Sequence, residues 1–403
     1  MKLKVLAFLS PGAAAAVSAL WTFPCMLASA FLVTWGAEAA QLLRSQGLAL
    51  AILAWLQTLP EFAVEAVIAW EAGRDPARAH LAIANLTGAI RLLFGLAWPM
   101  IYVVFAVAGW RGGGRRFPTI PLGREHAVEI VALTPPLLYV GLILWRGRFG
   151  WGDALVLLAC YVAYLWALLR GPSTATADPA DAPAVSRWAY ARRGWRRPAA
   201  ITALFGVGGA LLFVTVHPFL DAMLALAGAL GVSQFVFVQW MAPFLSEFPE
   251  KVSAFYWARR VTHAPMALMN IVSSNVNQWT VLAAMIPLVF GYSSFRHHGA
   301  WSAFQFDQAQ RLEILLTLLQ SGVALLVAAK LEFSWLDAAA LFALWLAQFL
   351  RPGLRELVSL VYAGWMAMLA LQFATGRRPF RVARYFWQSV ASPGRKSDRP
   401  EPL

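Results

Sequence analysis

Charge is scarce in this chain. Of 403 residues only 13% are Asp, Glu, Lys or Arg, about half the share that a soluble domain of this size carries. Cysteine is almost absent: there are two, and both Cys25 and Cys160 fall inside apolar runs. That leaves no basis for a disulfide framework, thiol chemistry or a cysteine-based metal centre. His126, His217, His263, His297 and His298 show no metal-ligand spacing beyond the adjacent loop pair 297–298, and they read as interfacial side chains. No nucleophile with its base, His-rich metal motif or phosphate-binding loop is present, so an enzyme using its carboxylates as acid and base is the weakest of the functional classes.

What the chain has in abundance is apolar sequence: 60% hydrophobic residues and 19 Trp, the latter suited to bilayer interfaces and interhelical packing. Runs of roughly 20 apolar residues, enough to cross about 30 Å of hydrocarbon, recur over 12–37, 47–71, 79–109, 126–146, 151–170, 199–228, 232–258, 265–291, 311–331, 333–350 and 354–375. The chain therefore reads as an all-α membrane protein with ten spans and an eleventh after them. Met1-Lys2-Leu3-Lys4 resembles a signal n-region; no small-residue cleavage site follows, so the first apolar run is read as a retained span. The net charge of +13 gathers in short loops and the tail, at Arg111, Arg115, Arg116, Arg192, Arg193, Arg196, Arg197, Arg377 and Arg378. It speaks of topology rather than nucleic-acid binding, and the partners expected are the lipid bilayer and inorganic cations.

The spans divide into two halves. Residues 1–170 hold the first five, and 171–198 form a small, polar and then Arg-rich linker that is expected to be flexible. Residues 199–350 hold the second five, and 351–403 the extra span and a basic tail. The halves repeat. Arg148-Phe149-Gly150-Trp151-Gly152-Asp153-Ala154 parallels Glu332-Phe333-Ser334-Trp335-Leu336-Asp337-Ala338, and Glu129 parallels Glu313. A unit with an odd number of spans enters the bilayer the second time from the opposite face, so the five-helix repeats are inverted about an axis in the membrane plane, as in many secondary transporters. Lys and Arg on alternate loops put the linker and tail in the cytoplasm and the N-terminus outside.

Each half carries a Pro-Glu pair in an apolar run: Thr58-Leu59-Pro60-Glu61-Phe62-Ala63-Val64-Glu65 and Ser246-Glu247-Phe248-Pro249-Glu250-Lys251. Asn85 follows Glu61 by 24 residues and Asn270 follows Glu250 by 20. A carboxylate at that depth is costly unless it faces a cavity or a cation. A proline inside a membrane helix frees the carbonyl one turn earlier, and small residues let a second helix come close. Carboxylates, freed carbonyls and the amides or hydroxyls of the following helix together supply the several oxygens that a hard cation demands. Glu61 and Glu250 are thus the candidate metal-binding groups.

At these residues the sequence resembles the cation/calcium exchanger superfamily, whose repeats typically read Gly-Thr-Ser-x-Pro-Glu and then Gly-Asn-x-x-Gly-Ser-Asn. The resemblance implies antiport of Ca²⁺ or a similar cation against Na⁺ or H⁺ by alternating access, in a prokaryotic inner membrane and with no cofactor beyond the transported ions. It makes Glu61 and Glu250 the central carboxylates and Thr58 and Ser246 supporting hydroxyls. Asn85, Asn270, Ser274, Asn275 and Gln278 become ligands on the partner helices.

The departures from the pattern are informative. The first repeat reads Gly88-Ala89-Ile90-Arg91 where Gly-Ser-Asn is typical, losing small polar ligands and gaining a fixed charge. The second adds Glu247 and Lys251 beside Glu250. Glu61, Glu65, Glu247 and Glu250 against Arg91 and Lys251 leave a net charge of −2. Helical spacing brings Glu65 onto the face of Glu61 and turns Lys251 away. Arg91 is expected to pair with Glu61 or Glu65, either as a structural counter-charge or as a tethered surrogate for a transported monovalent cation. A changed substrate, such as Na⁺ and H⁺ alone, is the alternative function. Glu38, Glu129, Asp221 and Glu313 read as structural or interfacial groups, and Thr134-Pro135-Pro136 as a helix kink. The spans with Pro60 and Pro249 are expected to break and converge, and 12–37 and 199–228 to pack more loosely than that core.

Overall fold

The structure, a computed structural model, describes residues 11–42, 58–170 and 182–391. The N-terminal Met1–Lys4 segment, the start of the second span, linker residues 171–181 and the tail after Ala391 lie outside the described residues. The first half comprises α1 (Pro11–Gln41), α2 (Leu59–Arg74), α3 (Ala79–Leu92), α4 (Trp98–Arg111), β1 (Ile120–Pro121), α5 (Ala127–Ala132), α6 (Thr134–Arg146), β2 (Arg148–Phe149) and α7 (Trp151–Arg170). After α8 (Ala184–Tyr190) come α9 (Arg196–Ala229), α10 (Gln234–Ser246), α11 (Phe248–Ala258), α12 (Ala264–Asn277), α13 (Ala283–His298), β3 (Phe304–Gln305), α14 (Gln308–Ala329), β4 (Glu332–Phe333) and α15 (Trp335–Leu350). Helices α16 (Arg355–Ala374) and α17 (Val382–Ala391) close the chain.

Among the described residues eight helices are long and apolar enough to cross a membrane. The other three expected spans are the two motif segments, α2 and α10–α11, and the shorter α15. A break is visible in the second motif: α10 ends at Ser246, Glu247 stands at φ −98° and ψ 2°, and α11 begins at Phe248. Pro249 therefore sits in the first turn of a new helix, where its missing N–H costs nothing, instead of interrupting a continuous one. Pro60 is placed alike in the first turn of α2. Pro135 and Pro136 do the same in α6, with the interruption at Leu133.

Two short strand pairs establish the inversion. Strands β1 and β2 lie at opposite ends of the α5–α6 span, and β3 and β4 at opposite ends of α14. β1 pairs antiparallel with β4, setting Ile120 against Phe333, and β2 with β3, setting Phe149 against Phe304. Each half's first strand thus meets the other half's second, which requires the two spans to run oppositely through the bilayer. Capping boxes at Asp307 with Gln310 and at Ser334 with Asp337 start α14 and α15 sharply beside these strands.

The motif helices pack across the halves, α2 on α13 and α3 on α10. Glycine makes both contacts possible. A Cβ on Gly88 would stand 1.7 Å from the Gln239 carbonyl oxygen, and one on Gly73 2.5 Å from that of Phe290. Only hydrogen at those positions lets the backbones approach so closely. Helices α1 and α9 lie along each other outside this core. In the most apolar stretch of Ala16–Ala40 and of Arg196–Ala229, 33% and 28% of residues are buried, against 61% for Pro76–Arg111 and 67% for Val261–His298. The two spans are less buried than the motif-bearing helices, and α7 and α16 share this at 28% and 22%.

Candidate cation site

Glu61 and Glu65 lie on α2, Glu247 at the α10–α11 break, and Glu250 in the first turn of α11. All four are at most 8% exposed. Gln278 ties the halves together: its Nε2 donates to Oε1 of Glu61 at 2.9 Å and to Oε1 of Glu247 at 2.9 Å. Glu61 and Glu247 also touch each other, and Glu250 lies near enough to act on Glu61 electrostatically. Glu250 Oε1 accepts a short hydrogen bond from the Ser274 hydroxyl and a longer one, 3.4 Å, from Asn270 Nδ2. Asn85 Nδ2 donates to Glu65 Oε2 at 2.7 Å. The two Pro-Glu segments and the two Asn-bearing helices therefore meet in one buried cluster.

Other candidates are placed less directly. Asn275 Nδ2 is spent on the Ile271 carbonyl at 3.0 Å, leaving its Oδ1 available. The Ser246 hydroxyl folds back onto the Ala242 carbonyl at 3.0 Å. Thr58 is buried at the N-terminus of α2. Among the motif residues, five buried oxygens accept no hydrogen bond: Glu61 Oε2, Glu65 Oε1, Asn85 Oδ1, Asn275 Oδ1 and Gln278 Oε1. Mixed carboxylate and amide oxygens with open lone pairs are the donor chemistry of a hard cation. No group of three or more His, Cys, Asp or Glu positioned for a metal ion exists among the described residues, so the amides are needed to complete any such shell.

Two expectations about charge are overturned. Lys251 does not point away: it is buried, and its Nζ pairs with Glu247 Oε2 at 2.5 Å. The break at Glu247 starts a new helix, and the four-residue step across its first turn puts the two on one face. Arg91 does not reach Glu61 or Glu65. It is fully buried in an ion pair with Glu313 and donates to Gln348 Oε1 at 2.7 Å and to the Thr87 carbonyl at 3.1 Å. Six residues after Asn85, it lies about 240° further round the helix, hence on another face. Arg355 pairs with the other oxygen of Glu313, and Gln239 Nε2 donates to Glu313 at 2.9 Å. The guanidinium of Arg91 also lies 5.3 Å from the Trp240 ring. Glu313 is thus the structural pair expected of it, though with arginines that sequence reasoning had not assigned. With Arg91 removed, the interacting carboxylates Glu61, Glu247 and Glu250 with Lys251 carry −2.

Sequence reasoning also missed two features around the site. A π turn follows each Asn-bearing helix, Leu93–Ala97 after α3 and Gln278–Leu282 after α12, at the same 185-residue offset that relates Asn85 to Asn270. The second aims Gln278 at the carboxylates; its counterpart, Leu93, cannot. Glu38 of α1, read as structural, accepts from Ser186 of α8 at 2.8 Å and from Ser253 of α11 at 2.6 Å. It links an outer helix to the motif helix one turn beyond Glu250. Serines at those positions carry no pattern that sequence could have flagged.

Inverted halves and helices ending at a buried acidic cluster define the class of inverted-repeat membrane transporters. The family described as sodium/calcium exchanger protein matches residues 13–170 and 200–351, and the chain belongs to it. The fold resembles the crystal structure of an H⁺/Ca²⁺ exchanger, CAX, with a TM-score of 0.83 and 29% sequence identity over 96% of this chain and 94% of that one. It also resembles the sodium-calcium exchanger NCX_Mj soaked with 10 mM Na⁺ and zero Ca²⁺, with a TM-score of 0.53 and 16% identity over 84% of this chain and 98% of that one. Among curated protein sequences none matches.

Proposed function

We propose that this protein is a secondary antiporter that moves Ca²⁺ in exchange for H⁺ by alternating access at the Glu61–Gln278–Glu247–Glu250 cluster. The observation that carries the reading is the Gln278 bridge, which holds a carboxylate from each half in one buried site. A divalent ion entering there takes Glu61 and Glu250 as its charged ligands, with the open amide oxygens of Asn85, Asn275 and Gln278 around them. Glu65, held by Asn85, is the reserve carboxylate behind the first motif.

Protons are favoured as the coupling ion for three reasons. The first repeat has Ala89 and Ile90 where polar ligands for further cations would stand. Lys251 fills part of the acidic field on the other side. The relative with the higher structural similarity is named an H⁺/Ca²⁺ exchanger. Carboxylates that lose their metal share can take a proton in its place, and this makes the exchange obligatory. Release to alternate sides follows from movement of α1 and α9 against the core, with the Glu38 contacts to Ser186 and Ser253 made on one side of that movement. The positive-inside bias supports an N-terminus outside and a cytoplasmic linker and tail.

Uptake of radioactive Ca²⁺ into proteoliposomes under an imposed pH or Na⁺ gradient tests the reading. Uptake driven by the pH gradient at zero Na⁺ is expected; an absolute Na⁺ requirement overturns the proton assignment, and no Ca²⁺ movement under either gradient overturns the substrate.

A further inference from the structure

A groove with a volume of about 580 Å³ opens on the flank of the bundle between α4 and α15, the size of a ligand site rather than a packing defect. Its walls are Met100, Val103 and Val107 from α4 and Trp335, Ala339 and Phe342 from α15. Its deep end reaches Leu96 in the first π turn, and Arg116 and Phe117 stand at the other. From Pro99 to Trp110 the α4 wall rises about 16 Å, close to half of a hydrocarbon core about 30 Å thick. The groove is therefore one leaflet deep.

The chemistry changes at its shallow end. Trp110, Phe117 and Trp335 are all exposed there, with the rings of Phe117 and Trp335 5.6 Å apart, the arrangement of an aromatic belt at headgroup level. Arg111 at the end of α4, and Arg115 and Arg116 in the loop that follows, are exposed beside them. An apolar slot one leaflet long, ending in aromatic rings and then a cluster of arginines, matches the profile of one lipid molecule: acyl chain, glycerol and phosphate. We propose that the groove holds an acyl chain of an anionic phospholipid whose phosphate pairs with Arg116, supported by Arg111 and Arg115. A second copy of the chain is a poorer occupant. A twofold axis along the membrane normal would bring the two arginine clusters together at the same face, where like charges oppose each other.

The test is native mass spectrometry of the full-length protein released from nanodiscs of equal phosphatidylglycerol and phosphatidylcholine. The parent retains one phosphatidylglycerol in preference to phosphatidylcholine. Each arginine near the surface contributes about fivefold to that preference, so Arg116→Glu lowers it by at least about fivefold. Val103→Trp, an exposed position whose larger ring fills the slot, lowers retention of both lipids without altering the fold. Equal retention of the two lipids by the parent overturns the proposal. So does a preference that survives Arg116→Glu, or a retention that Val103→Trp leaves unchanged, since phosphate and chain belong to one molecule. A lipid-free dimer that Val103→Trp dissociates also overturns it and makes the groove an interface between copies. None of these readouts depends on ion flux, so the proposal stands or falls apart from the transport reading.

Discussion

Removing the charge of Glu313 is predicted to cost more than removing that of Arg91, although the two form one ion pair. Glu313 accepts from Arg91 on one oxygen and from Arg355 on the other, and also from Gln239 at 2.9 Å. The cluster of two guanidiniums and one carboxylate carries +1 in a buried setting, with Arg91 fully buried and Glu313 about 1% exposed. Glu313→Gln raises it to +2 and leaves both arginines without a counter-ion. Breaking a buried pair in this way costs about 3–5 kcal/mol. Arg91→Met brings the cluster to zero and leaves the Arg355–Glu313 pair intact. Its cost is the lost charged hydrogen bonds to Gln348 and Glu313, about 1.5–3 kcal/mol each before the relief of desolvating a guanidinium is subtracted. In the double variant Arg355 remains as one cation, 13% exposed at its side chain, and part of the Glu313→Gln loss returns. Equilibrium unfolding of the detergent-solubilised variants, read as a double-mutant cycle, checks the order. Ca²⁺ flux in Arg91→Met keeps its dependence on H⁺ and Na⁺, because the residue faces away from the carboxylates. If Glu313→Gln is as stable as Arg91→Met, or Arg91→Met shifts the coupling ion, the account of this network is wrong.

Glu250→Gln removes a unit charge from the site at nearly constant volume, so Ca²⁺ flux is abolished while the protein still folds by circular dichroism and gel filtration; retained flux removes Glu250 from the mechanism. Gln278→Leu deletes both bridging hydrogen bonds, each worth about 1.5–3 kcal/mol to a charged acceptor, and calorimetry should show Ca²⁺ binding weakened by at least about tenfold; unchanged affinity would mean that the bridge does not organise the site. Lys251→Met strands Glu247 and destabilises the fold by about 3–5 kcal/mol, a loss that the added Glu247→Gln reverses, and thermal unfolding with both variants distinguishes this from simple loss of packing. Gly88→Ala forces a methyl towards the Gln239 carbonyl at 1.7 Å and is expected to cost about 1–3 kcal/mol or more; a variant with unaltered stability would show that α3 and α10 do not cross there.

Most of the plan was legible in the sequence, because the bilayer leaves few options. Twenty apolar residues without charge must form a helix whose backbone satisfies itself, and an odd repeat must invert. The Pro-Glu pairs were visible for the same reason: a carboxylate in an apolar run is rare enough to carry information, and Glu61, Glu247 and Glu250 do gather in one place, with Glu65 held by Asn85 one turn along α2. Ser274 and Asn270 fell on Glu250 as the motif implied.

Which charge meets which partner belonged to the tertiary structure. Helix periodicity assigns a residue to a face, but not to the helix that will cover it. Arg91 and Glu313 are separated by 222 residues, and only the packing of α3 against α14 and α10 makes them neighbours. Lys251 was misjudged because its direction depends on where a helix breaks, a matter of a single residue at Glu247. The π turns that aim Gln278, and the glycine contacts that let α2 and α3 reach the opposite half, likewise follow from how two surfaces fit. The local sequence determined the spans, their order and their inversion, since those depend on transfer from water to hydrocarbon residue by residue. The tertiary structure decided the pairing of buried charges, since a charge in a low-dielectric interior takes whichever counter-charge the packing brings within reach.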